Sequence, residues 1–81
     1  MAKRPPITNN IKAQREAHHQ MSQAALAKAI GVTRQTVIAI EQGKYSPSLE
    51  SAFRIARTFG VGLEEVFIWG DAEAEVQADE P

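Results

Sequence analysis

Eighty-one residues with 43% hydrophobic content build one small domain, because a chain of this size closes only a single modest core. Without cysteine there is no disulfide framework, no Cys/His zinc knuckle and no thiol nucleophile, so apolar packing alone must hold the core, as suits a reducing cytosol. The formal net charge of −1 joins unlike parts: residues 1–70 hold all nine lysines and arginines against five acids, a formal +4, while residues 71–81 carry five acids and no base.

No apolar run approaches the roughly 20 residues that cross a bilayer, and no secretory apolar stretch follows Met1 to Pro6, so the chain reads as soluble and cytoplasmic. Residues 1–7 open on two bases and two consecutive prolines and read as a flexible basic arm. Residues 70–81, low in hydrophobicity and of one charge sign, read as a disordered tail. Residues 8–69 form the body. Its apolar spacing is helical throughout, with no run of strict alternation, which predicts an all-α domain of five helices.

The first helix is expected from about Thr8 or Asn9 to His18, with Ile7 and Ile11 inward. The second follows Ser22 as N-cap, turns Leu26, Ala29 and Ile30 inward and stops at Gly31. The third has Thr33 as N-cap, Val37 and Ile40 inward and Gly43 at its end. After the Lys44-Tyr45-Ser46-Pro47 loop, a fourth helix starts near Ser46 or Ser48 and carries Leu49, Ala52, Phe53, Ala56 and Phe59 up to Gly60. A short fifth holds Leu63, Val66 and Phe67, with Glu64 and Glu65 at its positive N-terminal end.

A helix that ends at Gly31 and restarts within about two residues must turn sharply, and glycine adopts the left-handed backbone of such a turn without the cost of a Cβ. Ala27, four residues earlier, is small enough for a close helix crossing, which Val37 and Ile40 then fill. That is a helix-turn-helix pattern. The stretch from Ser22-Gln23 through Ile40-Glu41-Gln42-Gly43-Lys44 to Pro47-Ser48-Leu49, continued by Ala56-Arg57-Thr58-Phe59-Gly60-Val61 and Glu64-Glu65-Val66-Phe67, resembles the phage repressor/Cro (Xre-type) family. The resemblance covers residues 9–67. It implies a compact five-helix, lambda-repressor-like domain of a transcriptional regulator that binds double-stranded DNA as a homodimer.

In that family the third helix lies in the major groove, which places Arg34, Gln35, Ile38 and Ala39 at base edges. Their chemistry agrees: Arg34 can donate two hydrogen bonds to guanine, Gln35 can pair bidentately with adenine, and Ile38 or Ala39 can touch a thymine methyl. Ile38 has no place on the inward face; it meets DNA or is one of the common scattered surface apolar residues. The resemblance makes Gln23 a phosphate contact, with Thr33, Thr36, Lys44 and Tyr45 flanking the third helix in the same role. It also pairs Glu41 with an arginine of the first helix, here Arg15. The chain departs from its family where Gln14 stands in place of a leucine, and where His18-His19-Gln20-Met21 replaces a glycine-containing turn and adds one residue.

His18 and His19, adjacent and so about 100° apart on a helix, read as solvated loop residues rather than a metal or catalytic pair. Gly60-Val61-Gly62 follows a helix and so is no nucleotide loop. No nucleophile, base and orienter set is present, so neither an enzyme nor a cofactor is expected. Val66, Phe67, Ile68 and Trp69 in a row, with Leu63, exceed what a small core needs and form the expected dimer interface. The chain stops soon after, so control is expected through concentration, a partner protein or proteolysis. Two other functions fit the same fold: an antitoxin whose partner is a toxin, and a protein-interaction adaptor that binds no DNA. The acidic tail reads as a solubilising segment or as a weak competitor of phosphates for the basic body.

Overall fold

A computed structural model describes residues 7–70; the basic arm up to Pro6 and the acidic tail from Asp71 lie outside the described residues. The order is β1 (Ile7–Asn9), α1 (Ile11–Ala17), α2 (Gln23–Ile30), α3 (Arg34–Glu41), α4 (Leu49–Phe59), a single 3-10 turn (Leu63–Glu65) and β2 (Phe67–Trp69). Among the described residues the fold is mostly helical, with four α-helices and a two-stranded ribbon in place of the five expected helices. The expected start of the first helix is strand: Ile7, Thr8 and Asn9 pair antiparallel with Trp69, Ile68 and Phe67. All six positions but Asn9 hold β-branched or aromatic residues, which fit a pleated surface. Ile7 consequently lies on a half-open ribbon, 39% exposed, and not in the core.

Capping is local and explains the central helices. Ser22 Oγ accepts from the Ala25 amide at 2.9 Å, Thr33 Oγ1 from the Thr36 amide at 3.1 Å and Ser48 Oγ from the Ser51 amide at 3.1 Å, each satisfying a donor the first turn leaves free. Gly31 ends α2 in the left-handed region at φ +79°, and its amide donates to the Ala27 carbonyl. A Cβ there would meet only the end of Arg54 at 3.7 Å, so the glycine is required by the backbone conformation and not by space.

The core comprises Ile11, Leu26, Ala27, Ile30, Val37, Ile40, Ile55, Ala56, Phe59 and Val66. Three expectations shift here. Ala29 is exposed, and Ala27 takes the inward place because the stripe through Leu26 and Ile30 runs over it. On α4 the buried stripe is Ala52, Ile55, Ala56 and Phe59, about one residue round from the expected one, which leaves Leu49 and Phe53 exposed. Val66 is fully buried, because the 3-10 turn points it into the core, and the Asn10 amide donates to its carbonyl at 2.9 Å. It cannot lie at an interface between folded subunits.

The turn between α1 and α2 carries His19 at φ +60° and Gln20 at φ +54°, both left-handed without being glycine. These two residues absorb the extra residue noted above, at a cost of about 1 kcal/mol each. His18 is half-buried, against the expectation of a solvated residue: its ring centroid lies 5.2 Å from that of Phe59, and its Nδ1 donates to the Gln14 carbonyl at 2.9 Å. His19→Gly should raise stability by up to about 0.6 kcal/mol, since relief of the left-handed strain slightly exceeds the added freedom of the unfolded chain. A urea midpoint that falls would show that the exposed His19 ring makes a contact worth more than the strain.

Candidate nucleic-acid interface

α2 and α3, joined through Gly31, Val32 and Thr33, present α3 on the surface with Val37 and Ile40 as its anchors. Fixing those two inward turns Arg34, Gln35, Ile38 and Gln42 to one outer face, at spacings of one, four and eight residues. Arg34 and Gln35 are exposed, and neither side chain pairs with another group among the described residues. Ile38 and Ala39 are half-buried beside them. Among the sites expected to touch phosphate, Thr33 and Thr36 stand at the start of α3 with their hydroxyls 3.0 Å apart. Two hydroxyls sharing one hydrogen bond leave one hydrogen free to donate outward. Lys44 and Tyr45 are exposed just past α3, and Tyr45 also lines an apolar groove with Ile40 of α3.

Beneath this face lies a polar network. Arg15 Nε donates to Glu41 Oε2 at 2.7 Å and Arg15 Nη2 to Glu41 Oε1 at 3.1 Å, while Nη1 donates to the Met21 carbonyl at 2.9 Å. The two side chains are only 12% and 10% exposed, so the fork ties α1, the α1–α2 turn and α3 together largely shielded from water. Gln23, at the start of α2, donates from Nε2 to Glu41 Oε1 at 3.1 Å. Asn9 bridges β1 to the end of α3 by donating to the Ile40 carbonyl at 2.9 Å, and its Oδ1 accepts from the Ile11 amide at 3.1 Å.

An open notch beside α3 is lined by Asn10, Lys12, Gln23, Ile38, Glu41 and Gln42, among others. Lys12 and Gln42 are absent from the site as read from sequence. Gln42 carries a usable signal, since it sits four residues after Ile38 on the same face; Lys12 carries none, because only the folding of α1 against α3 brings it there. The Asn10 Oδ1 is buried without a partner in this wall. Among the described residues no helix is long and apolar enough to cross a membrane.

A family described as helix-turn-helix matches residues 11–66. An uncharacterized HTH-type transcriptional regulator of Methanocaldococcus jannaschii is 55% identical over 67 residues, covering 83% of this chain and 100% of that protein. The regulator YgzD of Bacillus subtilis, also uncharacterized, is 46% identical over 67 residues, 83% of this chain and 98% of its own. The cryptic phage CTXphi transcriptional repressor RstR of Vibrio cholerae is 33% identical over 60 residues, 74% of this chain and 50% of that one. A crystal structure of a protein from Bacteroides fragilis shares the fold at a TM-score of 0.66 and 24% identity, over 75% of this chain and 97% of the other.

Proposed function

Because the chain belongs to the helix-turn-helix family of Xre/Cro-C1-type DNA-binding regulators, we propose that it is a sequence-specific repressor that binds a palindromic operator as a homodimer. The observation that carries the reading is the outer face of α3, where Arg34 and Gln35 stand exposed and unpaired on a helix anchored by Val37 and Ile40. Arg34 and Gln35 read base edges, with Ile38 and Ala39 against thymine methyls. Gln23, Thr33, Thr36 and Lys44 hold the phosphates on either side, and Lys12 and Gln42 join them from the notch. A repressor named as such among the relatives supports the sign of regulation. Selection of preferred sites from a random duplex pool tests the reading: a two-fold symmetric sequence is expected, with half-sites roughly 34 Å apart, and a pool without enrichment would sink it.

Dimerisation uses the apolar side of the ribbon. Ile7, Asn9 and Phe67 line a groove of about 260 Å³ with Tyr45, Leu49 and Leu63. Trp69 stands opposite Ile7 in the register and so shares that sheet face, 60% exposed, while Ile68 faces the other way at 42%. Leu63, Phe67 and Trp69 thus keep their interface role, Ile68 lies at its margin, and Ile7 and Leu49 replace Val66. One face that carries both a groove and a protruding indole is self-complementary, as a two-fold contact requires. Light scattering at tens of micromolar should give twice the chain mass, and Trp69→Glu should halve it without unfolding, since Trp69 is not part of the core. A native monomer, or a Trp69→Glu dimer, would count against this interface.

A further inference from the structure

Glu41 binds two partners at once. Its Oε1 accepts from Arg15 Nη2 and from Gln23 Nε2, both at 3.1 Å, while Oε2 takes Arg15 Nε at 2.7 Å. A carboxylate only accepts, so this contact decides which end of the Gln23 amide points where: nitrogen towards Glu41, oxygen away. A primary amide has two N–H donors, and one of them is now occupied. The other has no acceptor among the described residues and stands on the wall of the notch, with Lys12, Gln42 and the recognition-helix residue Ile38 around it. Glu41 cannot swing off, because both edges of its carboxylate are held by a guanidinium that is itself fixed to the Met21 carbonyl.

We infer that Glu41 is a positioning residue for DNA binding. It holds the Gln23 amide so that its second N–H meets a backbone phosphate oxygen together with Lys12, and it makes no contact with the DNA. The inference rests on the reading of Gln23 as a phosphate contact. Without Glu41 the Gln23 side chain must be ordered on binding, and its amide can present its oxygen, which repels a phosphate. Arg15 matters here for a second reason: it cancels the charge of a carboxylate that would otherwise oppose the approach of a polyanion.

The test is a cycle of substitutions read by fluorescence anisotropy on a labelled random-sequence DNA duplex at low salt. Glu41→Leu alone orphans a buried arginine and can unfold the domain, so the pair is removed together as Arg15→Met with Glu41→Leu, which leaves the net charge unchanged and no charge unpaired. In the native chain Gln23→Ala should weaken binding about tenfold for each bound subunit, the worth of one hydrogen bond to a charged group. In the Arg15→Met, Glu41→Leu background the same substitution should cost less than about twofold, and the free protein should show a more mobile Gln23 side-chain amide by NMR relaxation. A full tenfold loss on Gln23→Ala in both backgrounds would overturn the positioning role, even if removing the pair weakens binding by itself. No loss on Gln23→Ala in the native chain would overturn the phosphate reading of Gln23, and the positioning role with it.

Discussion

Arg15→Met should destabilise the protein by about 3–5 kcal/mol, because it leaves the Glu41 carboxylate in a site only 10% exposed without the guanidinium that pairs with it. For a chain of this length total stability is on the order of 4–12 kcal/mol, so the single substitution removes a quarter or more of it. The loss also frees the Met21 carbonyl, the point at which Arg15 ties down the α1–α2 turn. Replacing both partners, Arg15→Met with Glu41→Leu, should restore most of the stability, since the desolvation of two charges disappears with the pair. Urea unfolding of the two variants is the measurement. A single-variant loss below about 1 kcal/mol would show that the pair behaves as a surface contact despite its burial.

How far the sequence foretells this structure depends on how local each determinant is. The ends of α2 and the start of α3 and α4 are readable because Ser22, Thr33 and Ser48 bond amides three residues on, and because Gly31 is where the backbone goes left-handed. The inward face of α4 is not. Its apolar residues satisfy helical spacing along two adjacent stripes, through Leu49 and Phe53 or through Ile55, and only packing against α2 and the 3-10 turn selects the second. β1 and β2 are three residues each and lie at opposite ends of the body, too short to show alternation and paired only by the closed fold. His18 likewise gives no local sign of its place against Phe59. At the interface, the α3 face follows from the wheel set by Val37 and Ile40, and the partner of Glu41 from family resemblance across a turn of different length. The meeting of Glu41 with Gln23, and of Lys12 with Gln42, joins three helices and has no counterpart in linear spacing.

Arg34→Ala combined with Gln35→Ala should remove most of the sequence selection while leaving the fold and most non-specific binding in place. Both side chains are exposed and unpaired among the described residues, and alanine favours a helix, so their loss should change stability by no more than about 0.5 kcal/mol. Each bidentate contact discriminates against a wrong base by roughly 1–3 kcal/mol, so two per half-site and two half-sites per dimer account for most of the direct readout, the thymine-methyl contacts of Ile38 and Ala39 supplying the rest. Phosphate binding rests on other residues, including Gln23, Lys12 and Lys44, and it sets the salt dependence. The two kinds of contact therefore separate in one experiment. On the selected operator the double variant should lose affinity nearly to the level of random DNA, with its slope against salt reduced by about two at most, the contribution of one Arg34 charge in each half-site. Arg34→Lys should fall between, because an ammonium keeps the charge but not the fork that spans guanine O6 and N7. If the double variant still ranks the selected operator above random DNA as the native protein does, base reading lies elsewhere on the domain, and the outer face of α3 serves only to dock it.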